Sequence, residues 1–299
     1  MAGRSVGFIA VAVGATLHRM KRIRSNDVGL ERESRITTFA VVLCVTVLSF
    51  TALACRDQTA EPVLAPKLLF DADEMAAYLD EFPKGDYQIA SVPNLGRFYV
   101  DDNPALVKKT LLSGRPWEPY VIEELEKHLA PGDTVLDIGA HIGSLTVPMA
   151  RLIGPEGTVY AFEPQRKIYR ELVYNLELNE ITNAVPLRFA LSSMTGIIEM
   201  NPAIAHDGQV RVGKGGDRVE ARTIDSFGFW DVSLMKIDVE GHEVEVLLGA
   251  GKTIDAFTPV IIIEIWQPNL DVVMPILRGY GYSVRPISHH DYIATYEPK

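Results

Sequence analysis

The residues of this chain best suited to chemistry are acids that close apolar runs. In Val135-Leu136-Asp137-Ile138-Gly139-Ala140-His141-Ile142-Gly143 an acid near the end of such a run is followed by glycines that let a main chain approach a ligand and a helix pack closely. This is the pattern of a nucleotide-type cofactor turn. Its spacing, Gly-x-x-x-Gly after an acid, lacks the Gly-x-Gly-x-x-Gly run that seats a dinucleotide pyrophosphate on a helix N-terminus. Glu163 ends the next run, Tyr160-Ala161-Phe162-Glu163-Pro164, where a carboxylate accepts hydrogen bonds from two ribose hydroxyls. A third run, Lys236-Ile237-Asp238-Val239-Glu240-Gly241-His242-Glu243, collects three acids and a histidine. Helix capping accounts for Glu243 as well as chemistry does.

These residues need elements that bring them to one edge. Apolar runs predict strands at Thr134 to Ile138, Thr158 to Phe162, Val185 to Phe189, Leu234 to Asp238 and Pro259 to Ile265. Amphipathic spacing predicts helices at Ile142 to Ile153, Arg166 to Asn179 and His242 to Leu248. Such alternation, with strands apolar at successive positions, implies a mostly parallel sheet covered on both faces, with ligands at its carboxyl edge. Gly196 to Thr223 breaks the rhythm with short β-like pieces around Gly213-Lys214-Gly215-Gly216, and reads as an insertion at the sheet edge. Upstream, Asp71 to Glu81 and Pro104 to Leu112 read as helices, Tyr87 to Val100 as a hairpin, and Glu118-Pro119 as a helix start.

The order of VLDIGAHIG, FEP, NLELN, RFALS with TG following, TIDSF, KIDVEGHE and IIIEIW, with Trp117-Glu118-Pro119 ahead of them, resembles the FkbM family of methyltransferases. The resemblance implies an α/β class I methyltransferase (Rossmann-like) fold, a seven-stranded, mostly parallel sheet with helices on both faces, that binds S-adenosylmethionine. It implies that Asp137, Gly139, His141 and Gly143 surround the methionine and ribose parts of the cofactor and that Glu163, with Pro164, holds the ribose. Ala190, Leu191 and Ser192 would line the adenine, and Asp238 would lie beside the methyl donor. Asn175 and Asn179 match recurrent asparagines, with helix packing or capping as their alternative role. His141 and Ser193 depart from the family's usual asparagine and acidic or amide residue.

Methyl transfer is a displacement at a sulfonium carbon, so positioning the acceptor dominates, and a hydroxyl acceptor also needs a base within hydrogen-bond reach. Asp238 is the first candidate for base or orienting group, with Glu240 and His242 behind it. A magnesium ion on Asp238 and Glu240 is chemically conceivable, but no spacing requires it. The expected acceptor is a hydroxyl on a sugar, glycan or small metabolite, held by the variable segments Leu68 to Tyr120 and Gly196 to Thr223. Two other readings stand beside this one: an NAD(P)-dependent oxidoreductase, disfavoured by the glycine spacing, and a membrane-anchored cofactor-binding protein without catalysis.

The 299 residues carry a net charge of -10, and Met1 to Arg35 has seven basic residues against three acidic, net +4, which leaves -14 on the remainder. A body this acidic repels phosphate backbones, so no nucleic-acid partner is expected. Ile36 to Cys55 is uncharged and apolar, long enough to cross a bilayer, and the basic residues before it place the N-terminus in the cytoplasm. Ala52-Leu53-Ala54-Cys55 also resembles a cleavage or lipidation site. An outward-facing body conflicts with a cofactor made in the cytosol. The chain thus divides into a basic, membrane-associated N-terminus (1–57), a linker with accessory elements (58–118) and a methyltransferase domain (119–299).

Overall fold

Strands apolar at successive positions have to be covered on both faces, and the computed structural model, which describes residues 87–102, 105–201 and 211–298, shows the sheet this demands. A hairpin of β1 (Gln88–Val92) and β2 (Gly96–Val100) leads into α1 (Leu106–Leu112) and α2 (Pro119–His128). Strand and helix then alternate through β3 (Thr134–Ile138), α3 (Thr146–Ile153), β4 (Thr158–Phe162), α4 (Arg166–Leu178) and β5 (Ala184–Leu187). Three short strands follow, β6 (Ala190–Leu191), β7 (Gly196–Glu199) and β8 (Arg218–Arg222). The alternation resumes with β9 (Leu234–Ile237), α5 (Glu243–Leu248), α6 (Gly251–Phe257), β10 (Val260–Glu264) and α7 (Gln267–Gly279), and closes on β11 (Tyr282–Pro286) and β12 (Asp291–Tyr296).

Seven strands form the main sheet in the order β11-β12-β10-β9-β3-β4-β5, with β12 antiparallel to both neighbours and the other pairings parallel. Apolar residues of α2, α3 and α4 pack on one face and those of α5, α6 and α7 on the other. This is the class I, Rossmann-like α/β architecture the motifs imply. The chain order reverses between β3 and β9: the loop after β3 turns to α3 on one face, the loop after β9 to α5 on the opposite face. The two loops part there and leave a crevice at the carboxyl edge.

The accessory hairpin is no separate layer. Phe98, Val100, Val107 and Leu111 belong to the same buried cluster as Val121, Ile142 and Leu172. Asn175 and Asn179 on α4 fasten it: Tyr99 donates its amide to Asn175 Oδ1 at 2.7 Å and Arg97 donates to Asn179 Oδ1 at 2.9 Å. In return the Asn179 side chain donates to the Arg97 carbonyl at 2.6 Å. Beneath the hairpin, fully buried Lys108 bridges Asp101 at 2.6 Å and Glu171 at 2.9 Å. The two asparagines therefore pair an edge strand to a helix.

The structure differs from the sequence expectation in three places. The Gly196 to Thr223 segment does not extend the main sheet; it builds a separate three-stranded sheet, β6-β8-β7, because β8 pairs with both β6 and β7. α3 starts at Thr146, four residues later than expected, because Gly143 is left-handed (φ 86°) and Thr146 Oγ1 is donated to Asp137 Oδ2 at 2.6 Å. α6, α7, β11 and β12 complete the sheet where no element was expected. Gly251 opens α6 and Pro275 lies inside α7, and both residues read locally as breakers. The expected helix Asp71 to Glu81 and the apolar segment Ile36 to Cys55 lie outside the described residues. Among the described residues no helix is long and apolar enough to cross a membrane.

Candidate active site

The crevice opens as a cavity lined by residues from every loop at the carboxyl edge, among them Asp137, Gly139, His141, Glu163, Pro164 and Asp238. Their placement follows from register. Asp137 on β3 stands opposite Lys236 on β9, two charged residues facing one another in adjacent buried strands. Gly139, φ 84°, crosses over the end of β9 so closely that a Cβ would meet the Asp238 carbonyl oxygen at 1.8 Å. The amides of Gly139 and Ala140 both donate to the Phe162 carbonyl at 2.9 Å, which locks the turn onto the end of β4. This glycine is thus required by strand packing and by its left-handed backbone. Gly143 does not line the cavity; a Cβ on it would meet Leu172 Cδ1 of α4 at 2.9 Å.

Glu163 is 3% exposed and accepts two main-chain amides, from His141 at 3.0 Å and from Gln165 at 2.8 Å. Both oxygens are held at the end of β4, and burial raises its carboxyl to about 7. Phe189, Ala190 and Leu191 form an apolar wall beside it. Ser192 stands behind that wall, with its Oγ 3.0 Å from His242 Nε2. His242, which lines the cavity, has Nδ1 3.6 Å from Glu245, and burial lowers its pKa despite the Glu245 and Glu243 charges. It is neutral at pH 7, and one ring nitrogen is engaged by a serine.

On the β9 side the cavity is strongly acidic. Asp238 accepts Lys236 Nζ at 3.0 Å. Burial works against the charged form of Lys236, but Asp238, Asp137 and Glu118 outweigh it and favour the ammonium. Glu240, left-handed at φ 53°, has its carboxyl raised to about 7 by burial and then by the Asp238 charge, with Arg211 3.6 Å away. Glu264, at the end of β10, is raised to about 9, first by burial and then by Asp238 and Glu240, and accepts Trp266 Nε1 at 2.9 Å. Oxygens of Asp238, Glu240 and Glu264 lie within 4.8 Å of one another, a spacing that admits a divalent cation or a positively charged ligand.

Three lining acids or bases lie within the quoted motifs without being singled out as site residues: Glu118, Lys236 and Glu264. Lys236 and Glu264 did carry a signal, a charge inside the otherwise apolar runs Leu234-Met235-Lys236-Ile237 and Ile261-Ile262-Ile263-Glu264. Glu118 stands in the quoted Trp117-Glu118-Pro119, where its place before a proline reads only as a helix start. Val107, Trp117, Met200 and Val212 also line the cavity, so both variable segments reach it.

The lining fits S-adenosylmethionine. It offers a carboxylate for ribose hydroxyls, an apolar wall for a purine and a surplus of acids for a cationic sulfonium and ammonium. Two buried carboxylate oxygens, Glu118 Oε2 and Asp137 Oδ1, have no hydrogen-bond partner among the described residues and so await a donor.

Residues 137–284 match the methyltransferase FkbM domain, and residues 64–199 match the protein-L-isoaspartate(D-aspartate) O-methyltransferase family. The hexuronic acid methyltransferase AglP of Haloferax volcanii is 32% identical over 152 residues, which cover 48% of this chain and 61% of that protein. Methyltransferase sdnD of Sordaria araneosa is 26% identical over 174 residues, 45% of this chain and 67% of that protein. The crystal structure of methyltransferase FkbM from Methylobacillus flagellatus KT superposes with a TM-score of 0.44 at 18% identity, covering 64% of this chain and 52% of that one.

Proposed function

We propose that this chain, a member of the FkbM methyltransferase family through residues 137–284, methylates a hydroxyl oxygen on a sugar, glycan or small metabolite. One observation carries the reading: Asp137, Glu163 and Asp238, from the ends of three adjacent parallel strands, face a single acidic cavity at the switch point of the sheet. When bound, S-adenosylmethionine supplies an electrophilic methyl group on sulfur. Glu163 orients the ribose, and the apolar wall Phe189, Ala190 and Leu191 takes the purine. Lys236 fixes Asp238, which leaves Asp238 to orient the acceptor. Glu240, whose carboxyl titrates near neutrality, takes the hydroxyl proton, since a base matched to working pH is most effective.

The hexuronic acid methyltransferase relative supports a carbohydrate acceptor, and attachment to a membrane through Ile36 to Cys55 belongs to the same proposal. Calorimetry with S-adenosylhomocysteine and with NADH tests the cofactor: binding of NADH alone contradicts it. Labelled methyl transfer to membrane and soluble glycan fractions, followed by mass spectrometry of the product, tests the acceptor; label on nitrogen or carbon contradicts O-methylation.

A further inference from the structure

A residue just before a helix ordinarily turns an acidic side chain back onto the free amides of the first turn. Glu118 stands at that position before α2 and makes no such bond, and Pro119 after it has no amide to offer. Its backbone is left-handed, φ 43° and ψ 61°, a conformation that costs a non-glycine residue on the order of 1 kcal/mol. The consequence of this turn is that the carboxyl enters the cavity with Asp137, Lys236 and Asp238.

There the group is 9% exposed and its Oε2 has no hydrogen-bond partner among the described residues. Asp137 Oδ1, in a residue that is 0% exposed, is in the same condition. A buried acceptor without a donor costs roughly 1–3 kcal/mol, so two of them lining one cavity point to a donor that arrives with the ligand. Burial raises the Glu118 carboxyl to about 8 even though Lys236 is near, which marks a site short of positive charge. Lys236 is already committed to Asp238.

The ligand's two ends sort by position. Glu163 and the apolar wall occupy the β4 side of the cavity. Glu118 lies on the other side, where its charge is felt by Lys236, Asp238 and Asp291. We infer that Glu118 holds the α-ammonium of the methionine part of S-adenosylmethionine, sharing its N–H donors with Asp137. The inference rests on the cofactor reading above and adds a residue outside the family's glycine turn.

The test is calorimetry on the full chain, wild type and Glu118→Gln, with two ligands: S-adenosylhomocysteine and its analogue lacking the α-amino group. The variant is expected to bind S-adenosylhomocysteine at least about tenfold more weakly, while its affinity for the deaminated analogue equals that of the wild type. Retained binding of the analogue also shows that the variant is folded. Equal losses for both ligands would make Glu118 structural and overturn the inference, as would unchanged binding of S-adenosylhomocysteine. Wild-type protein that binds neither ligand overturns the cofactor reading and this inference together, an outcome distinct from failure of Glu118 alone.

Discussion

At the scale of single residues, environment separates acids that look alike in sequence. Asp238 and Glu240 are two positions apart, yet Asp238 is ion-paired to Lys236 while Glu240 is raised to about 7 by burial and by Asp238. Glu240→Gln is therefore expected to lower kcat by about 100-fold or more and to leave the affinity for S-adenosylhomocysteine unchanged. Single-turnover kinetics against pH measures this: the limb near pH 7 should vanish in the variant, and a retained limb assigns the proton elsewhere. Gly139 makes the opposite kind of point. It was legible as a cofactor glycine, but the structure shows the Asp238 carbonyl where a Cβ would go. Gly139→Ala should cost about 3 kcal/mol or more of stability, read as a lowered unfolding midpoint in urea, since a main-chain clash cannot be relieved by a rotamer change.

At the scale of elements, motifs proved to do positioning as well as chemistry. Asn175 and Asn179 satisfy the unpaired edge of β2, and Asp225 in the Thr223-Ile224-Asp225-Ser226-Phe227 motif accepts the amides of Lys252 and Thr253 at the start of α6. The hairpin in turn covers α4, whose Leu172 packs against Gly143 of the cofactor turn. Asn175→Leu removes the acceptor for Tyr99 and the donor to the Ile142 carbonyl at 2.8 Å. We expect a loss of about 2–3 kcal/mol, the cost of leaving such groups buried without partners, and faster amide exchange in 96–100 than in β3. Exchange that rises equally in both strands would show that the hairpin is not held there. The strands and helices from 134 to 179 were legible because their periodicity is strong; β11 and β12 were not, because they sit at the sheet edge with mixed exposure.

At the scale of the molecule, the acids gathered at one edge set a pH dependence. The carboxyls of Glu163 and Glu240 are raised from 4.5 to about 7, that of Glu118 to about 8 and that of Glu264 to about 9, in each case chiefly by burial. A carboxyl protonated more readily folded than unfolded stabilises the fold fully below 4.5, and that stabilisation is lost as pH rises through the folded value. Asp101 and Glu124 are lowered despite burial, by Lys108 and Lys167 and by Lys127 and Arg285 respectively, and their contribution fades only in acid. Tm of the ligand-free protein should thus fall between about pH 6 and about pH 9, and a Tm that rises across this window contradicts the acidic cavity.

The sequence by itself determined the sheet-and-helix alternation and the acids at the strand ends, written in short-range spacing and apolar periodicity, and the order of its motifs carried the resemblance to a family. Tertiary structure alone decided which further acids join Asp137, Glu163 and Asp238 in one cavity. Glu118 meets Asp137 and Lys236 only because α2 packs against the end of the sheet, and Glu264 reaches Asp238 only because β10 lies beside β9. The charge state of each group follows from that convergence, because burial and neighbouring charge act through space and leave no trace in local order.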